Sequence, residues 1–175
     1  MMKWAQCQMM YQKMLTAFKN DKVIKTNSDS EEEKIQEFRE KFFNFLLKKP
    51  CTSGQAAEYL SKLNVPENFY DLLLDEAEKL KLIDDLAYSK LFIDGHLTWG
   101  NAKIIYELSR RGVSRDNINE ALNESEDENS RAYQLADDWR KLGIDEQKII
   151  KRLLSRGFSH RSTRTSGIDI NNERE

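Results

Sequence analysis

Basic side chains recur at helical spacing near the end of this 175-residue chain. Lys148, Lys151 and Arg152 fall at i, i+3 and i+4, which places them on one face of a predicted helix. The opposite face is apolar and consists of Ile149, Ile150, Leu153 and Leu154. Further arginines extend the positive charge beyond this helix: Arg156, Arg161 and Arg164. This pattern has two interpretations, a solvated helix face or a surface that binds a polyanion or an acidic protein.

A second basic group belongs to the segment IIYELSRRGV, residues 104–113, which contains Arg110 and Arg111 and directly follows Lys103. Trp99 lies in a predicted turn upstream of this segment. An aromatic residue in such a turn either packs at an interface within the protein or anchors a binding partner. We therefore treat all these basic residues as candidate contacts for a partner or for phosphate, and Trp99 as a candidate anchor.

The residue types that could support catalysis, a cofactor or a metal are not arranged for that chemistry. Gly95 and Gly100 are separated by the bulky sequence HLTW, and no predicted strand precedes them, which is unlike a phosphate-binding loop. His96 and His160 lie far apart in the sequence, without cysteine or carboxylate at a helical ligand spacing. The adjacent pair Asp84–Asp85 is better explained as a cap for the following helix. The sequence therefore predicts a protein that is not an enzyme and needs neither cofactor nor metal.

The candidate residues lie on segments that end in the same way. Each segment carries an apolar helical stripe, then a residue suited to a left-handed backbone, then an apolar residue. The three segments are AAEYLSKLNV (56–65), IIYELSRRGV (104–113) and IIKRLLSRGF (149–158). Other L-residues are strained in that conformation by about 1 kcal/mol or more. We therefore predict that helices end near Asn64, Gly112 and Gly157.

A new helix start follows each of these ends, at Pro66, Ser114 and Ser159. The three segments begin 48 and 45 residues apart, a spacing typical of stacked helical repeats. The predicted fold is all-α, an elongated array of three tandem three-helix repeats. We expect the last helix of the third repeat to be frayed or missing, because SHRSTRTSGIDINNERE contains few apolar residues.

The predicted boundaries divide the chain into six parts. These are a variable N-terminal segment (1–33), the first repeat (34–85), the second repeat (86–124), an acidic connector (125–128), the third repeat (129–168) and a disordered tail (169–175). The acidic stretches SDSEEE (28–33) and ESEDE (124–128) lack apolar periodicity and are interpreted as solvated loops.

The composition indicates a folded protein with a large wetted surface, since 39% of the residues are hydrophobic and 33% are charged, with a net charge of −2. The two cysteines, Cys7 and Cys51, do not suggest a disulfide framework, which favours a reducing compartment. No apolar run approaches the roughly 20 residues of a membrane span, and residues 1–10 lack the apolar core of a signal peptide. We expect a cytoplasmic monomer without membrane contact.

Residues 82–122 resemble the RecX family of recombination regulators. The resemblance rests on the joint order and spacing of an apolar pair before Asp84 and Asp85, then Tyr88 to Phe92, Gly100, Lys103-Ile104, Glu107-Leu108, Arg111-Gly112-Val113, Ile118 and Ala121-Leu122. It extends over roughly residues 38–158, and residues 1–33 carry no recognisable motif.

The resemblance implies an all-helical protein of three tandem three-helix repeats that binds RecA. Such a protein would lie in the helical groove of the RecA filament on single-stranded DNA and inhibit the ATPase, strand-exchange and co-protease activities of RecA. It would thereby modulate homologous recombination, DNA repair and the SOS response. Two other hypotheses remain open, a self-sufficient helical module that contacts nucleic-acid phosphates directly and a helical scaffold for an unrelated protein. The net charge of −2 disfavours the first of these.

Overall fold

The computed structural model describes residues 29–167, and within this range all regular secondary structure is helical. The predicted all-α class is confirmed. The helices are α1 (Asp29–Leu46), α2 (Ser53–Lys62), α3 (Tyr70–Lys79), α4 (Asp85–Asp94), α5 (Asn101–Arg110), α6 (Arg115–Glu124), α7 (Glu128–Lys141), α8 (Glu146–Ser155) and α9 (His160–Thr165). Residues 1–28, with Cys7, and the predicted tail 169–175 lie outside the described residues.

The chain divides into two compact units, with the boundary between Asp84 and Asp85. The first unit contains α1 to α3, with a core centred on Phe42, Phe43 and Leu60. Its helix α2 begins with a reciprocal capping box. In that box the Thr52 hydroxyl accepts from the Gln55 backbone N–H at 3.2 Å, and the Gln55 side chain accepts from the Thr52 N–H at 3.3 Å. An ion pair between Arg39 of α1 and Glu76 of α3 links two helices of this unit.

The second unit contains two helical groups, each around its own apolar cluster. The second helical group consists of α4, α5 and α6, and its cluster includes Ile93, Ile104 and Ile118. The third helical group consists of α7, α8 and α9, and its cluster includes Ile149 and Phe158. Apolar residues at helical spacing on α4 to α8 supply most of these clusters, as the periodicity predicts, whereas α9 contributes no apolar residue.

The three predicted helix ends are confirmed. Asn64, Gly112 and Gly157 have φ values of +54°, +80° and +84°. The apolar residue after each turns back onto its helix, as when the Val113 N–H donates to the Leu108 carbonyl at 3.2 Å. Two more ends use the same motif, at Lys81 with φ +57° and at Gly143 with φ +72°. Sequence reasoning missed these two, and a lysine gives no signal for a left-handed backbone.

The predicted helix starts are confirmed at Ser114 and Ser159, whose hydroxyls accept backbone N–H groups of Asn117 and Ser162. Pro66 differs slightly, because it precedes a 3₁₀ turn (Glu67–Phe69) that leads into α3. Its fixed φ of −60° suits this turn.

Three expectations about loops and termini are wrong in whole or in part. SDSEEE is not a loop, since α1 begins at Asp29, and acidic residues are favoured in the first turns of a helix by its dipole. In ESEDE, residues 125–127 do connect α6 to α7 and Glu126 is exposed, but Glu124 ends α6, Asp127 caps α7 and Glu128 is half-buried at the start of α7. Helix α9 is present although it is short and polar.

Helix α9 is stable despite its sequence because its hydroxyl groups are satisfied. Ser162, Thr163 and Ser166 are buried, and each hydroxyl donates a hydrogen bond. Thr163 donates to the Ser159 carbonyl at 2.9 Å, and Ser166 donates to the Thr163 carbonyl at 2.6 Å. A buried hydroxyl with a partner avoids the desolvation cost that an unpaired one would impose. This helix therefore packs without the apolar residues that the sequence lacks.

Candidate functional site

The turn between α4 and α5 and the residues beside it hold a cluster of aromatic rings that two cations contact. The Phe92 and His96 ring centroids are 4.2 Å apart, and those of His96 and Trp99 are 4.1 Å apart. The Lys103 ammonium lies 4.1 Å from the Trp99 ring centroid, one turn into α5. The Arg111 guanidinium lies 4.8 Å from the Phe92 ring. Trp99 is half-buried, so part of its ring packs against the apolar cluster of the second helical group and part remains accessible.

A second aromatic residue carries cations in the third helical group. The guanidinium groups of Arg152 and Arg156, on and just after α8, lie 5.7 and 5.0 Å from the Trp139 ring of α7. This arrangement depends on the packing of α7 against α8, and sequence spacing offers no signal for it. A ring holds a cation through its quadrupole without cancelling the charge, as a carboxylate would.

The two clusters are joined through the backbone. The Gly100 N–H donates to the Arg156 carbonyl at 2.9 Å, and the Ala102 N–H donates to the Gly157 carbonyl at 3.2 Å. The structure thus brings the predicted residues Lys103 and Arg156 to one junction, and Arg152 of α8 lies one turn before Arg156. We name these residues together with the two rings, Trp99, Lys103, Trp139, Arg152 and Arg156, the cation–aromatic strip.

The cations of this strip have no carboxylate partner among the residues that the structure describes. Over residues 29–167, no ion pair involves Lys103, Arg152 or Arg156. Unpaired cations on a protein surface favour an anionic or acidic partner, because binding one costs no existing ion pair.

Arg110 and Arg111 differ from the strip because both contact Glu107. Arg111 donates to the Glu107 carboxylate at 2.6 Å and to its backbone carbonyl at 2.7 Å. This hydrogen bond holds the pKa of the Glu107 carboxyl below its usual value, with a smaller contribution from the charge of Arg110. Arg111 therefore stabilises the end of α5 while also lying over Phe92.

The remaining predicted contacts lie on exposed faces. Lys148 and Lys151 are exposed on α8, opposite the buried Ile149 and Leu153, so the predicted two-faced character of this helix is confirmed. Arg161 and Arg164 are exposed on α9. Within the described part of the chain, no ring contact joins either arginine to Trp99 or Trp139.

The described residues offer no arrangement suited to holding a metal ion, since no group of three or more histidine, cysteine or acidic side chains converges there. Nor does any helix in residues 29–167 combine the length and the hydropathy that a membrane crossing requires. The arrangement suits electrostatic and stacking contact with a partner surface.

Comparison with known proteins identifies the family that this chain resembles. Residues 84–122 match the family model described as RecX, second three-helix domain. The regulatory protein RecX of Clostridium perfringens (strain SM101 / Type A) is 29% identical over 120 residues, covering 62% of this chain and 57% of that protein. The regulatory protein RecX of Lactococcus lactis subsp. lactis (strain IL1403) is 29% identical over 123 residues, covering 62% and 46%. The matched region thus spans about half the length of these curated relatives.

Solved structures share the fold. The crystal structure of RecX from Lactobacillus salivarius superposes with a TM-score of 0.68 at 21% identity, covering 77% of this chain and 94% of that one. A second crystal structure of regulatory protein RecX also gives a TM-score of 0.68, at 18% identity, covering 90% and 87%. Together with the family-model match, these findings confirm the resemblance to the RecX family that residues 82–122 indicate.

Proposed function

We propose that this RecX-like chain binds RecA in the groove of its filament on single-stranded DNA and inhibits RecA. The inhibited activities are ATP hydrolysis, strand exchange and co-protease function, so the protein modulates homologous recombination, DNA repair and the SOS response. It acts in the cytoplasm as a monomer, by binding alone, without a catalytic step, a cofactor or a membrane partner.

The observation that carries this proposal is the cation–aromatic strip. Half of the strip, Trp99 and Lys103, lies within residues 84–122, the part of the chain that matches the RecX family model. The other half, with Arg152 and Arg156 on Trp139, is hydrogen-bonded to the first through Gly100. A nucleoprotein filament presents acidic protein groups and phosphates, and unneutralised cations attract both.

A second candidate function has its own support in the strip. Cations alternating with aromatic rings are also the elements that contact single-stranded nucleic acid, where phosphates bind cations and bases stack on rings. The chain would then be a self-sufficient nucleic-acid-binding module. Trp99 and Trp139 of the strip both lie against cations, which leaves less ring surface for stacking and favours contact with a RecA-coated strand.

The deciding experiment measures RecA ATPase on single-stranded DNA with and without the protein, together with the affinity of the protein for bare DNA. We expect inhibition of the ATPase and binding to RecA-coated DNA that is far tighter than binding to bare DNA. Equal affinity for coated and bare DNA would support the second candidate. No effect on RecA and no DNA binding would refute both.

The exposed basic face of α8 provides a sharper test. Replacing Lys148, Lys151 and Arg152 together by glutamine should leave the fold intact, because all three residues are exposed. Inhibition of RecA should weaken and depend less on salt. If all three contact single-strand phosphates, the slope of log affinity against log salt should fall by about 2.

A matched control removes the same charge elsewhere. Lys41, Lys62 and Lys141 are exposed helix lysines, each paired with a carboxylate four residues earlier. Their triple glutamine variant changes the net charge equally but should leave inhibition and its salt dependence near the parent values. Equal losses of inhibition in the two triple variants would mean that the basic face of α8 acts only through the net charge of the protein.

A further inference from the structure

The second and third helical groups approach so closely at one point that only glycine fits there. A Cβ atom on Gly100 would lie 2.0 Å from the backbone nitrogen of Phe158, far inside the closest distance that real atoms adopt. The backbone of Gly100 itself is unstrained, with φ −77° and ψ 163°, a conformation that any residue adopts. Gly100 is therefore required by the neighbouring helical group and not by its own turn.

A buried arginine spans the same junction. Arg131 of α7 is only 3% exposed, and its guanidinium donates to the Trp99 carbonyl at 2.7 Å and to the Asn101 side-chain oxygen at 2.5 Å. Its third hydrogen bond goes to the Glu126 carbonyl at 3.2 Å. Burial lowers the pKa of the Arg131 guanidinium, and nearby carboxylates, Glu128 first among them, oppose that shift. The rigid fork of arginine thus fixes the turn before α5 against the start of α7.

A carboxylate one turn earlier completes the connection. One oxygen of Glu128 accepts from the Asn101 backbone N–H at 2.7 Å, and the other accepts from the Ser162 hydroxyl at 2.6 Å. Glu128, at the start of α7, therefore links α7 to both the first residue of α5 and helix α9. Hydrogen bonds to a charged group are about twice as strong as neutral ones, so this link holds a defined geometry.

We propose that Gly100, Arg131 and Glu128 are positioning residues that hold the two halves of the cation–aromatic strip in one fixed arrangement. The inference rests on the proposed function. The turn that they fix carries Trp99 and leads to Lys103, while the backbone packed on Gly100 directly follows Arg156. Two linked contact sites held at the correct separation bind one partner together, and their combined affinity exceeds that of either site alone by about 10²- to 10⁴-fold, a gain that is lost when the geometry prevents simultaneous contact. These residues contribute to inhibition without contacting the partner.

The chain offers a matched pair of substitutions to test this. Gly100→Ala forces the two helical groups apart without removing any core side chain or hydrogen-bond donor. Gly95→Ala makes the same chemical change five residues earlier, where the new Cβ would lie 3.5 Å from the Leu91 carbonyl oxygen, an ordinary contact. Asn101→Ala, which deletes one acceptor of Arg131, provides a milder variant if Gly100→Ala does not fold.

The geometry is measured first, in the full chain. Spin labels are attached to cysteines introduced at the exposed positions Asn119 and Gln147, one in each helical group, with Cys7 replaced by serine. Cys51 stays in place, because it is buried and shielded from the reagent. We expect one narrow distance distribution for the parent and for Gly95→Ala, and a shifted or broadened one for Gly100→Ala. An unchanged distribution in both Gly100→Ala and Asn101→Ala would overturn the inference.

The same variants are then tested for inhibition of RecA ATPase, with thermal melting to verify folding. The concentration of Gly100→Ala that gives half-maximal inhibition should rise by at least about tenfold, with a smaller rise for Asn101→Ala and less than about twofold for Gly95→Ala. A changed distance with unchanged potency would overturn the positioning role and leave the proposed function intact. A parent protein that does not inhibit RecA would overturn the proposed function, whereas the distance measurement would still report on the junction.

Discussion

Two glycines of the third helical group allow backbone strain and tertiary contact to be separated. Gly143 and Gly157 both end helices with positive φ, +72° and +84°, and both make the same turn of hydrogen bonds back onto their helix. A Cβ on Gly143 would meet nothing within 4 Å, whereas a Cβ on Gly157 would lie 2.6 Å from the Lys103 Cβ. Substitution by alanine therefore imposes the same local strain at both sites and a collision at only one.

The two costs can be estimated from these contacts. An alanine in the left-handed conformation destabilises the folded state by about 1–2 kcal/mol. Alanine also lowers the conformational entropy of the unfolded chain, which offsets about 0.4–1 kcal/mol, so Gly143→Ala should lower the free energy of unfolding by about 1 kcal/mol. At Gly157 the collision with the Cβ and backbone of Lys103 adds the cost of overpacking, about 1–3 kcal/mol. Gly157→Ala should therefore destabilise by about 2–4 kcal/mol.

Urea denaturation of the full-length variants, followed by helical circular dichroism, measures the free energy of unfolding. In thermal melting, the difference between the two variants should appear as a midpoint lower by roughly 4–24 °C for Gly157→Ala, since 1 kcal/mol shifts a unit of roughly 60–100 residues, such as the second unit, by about 4–8 °C. Equal destabilisation of the two variants would refute the close approach between Gly157 and Lys103. A large loss for Gly143→Ala would instead mean that the estimate of local strain is wrong.

Two further predictions concern single side chains. Thr52→Ala should lose the capping box of α2 and destabilise the first unit by about 1 kcal/mol, as measured by urea denaturation. The control Thr98→Ala, at an exposed turn, should stay within about 0.5 kcal/mol of the stability of the parent. Glu107 has a lowered pKa in the folded protein, so its stabilising contribution is present at neutral pH and is lost as the pH falls through that lowered value. The melting-temperature gap between the parent and Glu107→Gln should therefore close on acidification, and a gap that does not change with pH would contradict the role of the Glu107–Arg111 contact.

The sequence by itself determines the features of this protein that depend on one or two helical turns. The ends at Asn64, Gly112 and Gly157 follow from the steric preferences of single residues, and the starts at Ser114 and Ser159 from single hydroxyl groups. The exposed basic face of α8 follows from the 3.6-residue period alone. These features could be predicted because every atom that decides them lies within a few residues.

Only the tertiary structure decides the features that join distant segments. Trp139 meets Arg152 and Arg156 because α7 packs on α8, and Glu128 becomes a link because α5 and α9 both bring a donor to it. The sequence around Glu128 looks like that of a solvated acidic loop. The local sequence is the same whether the Glu128 carboxylate binds water or a protein N–H, so it cannot distinguish the two. Helix α9 is the clearest case. Its serines and threonines predict a frayed end, yet their buried hydroxyl groups donate hydrogen bonds to acceptors that the folded chain supplies.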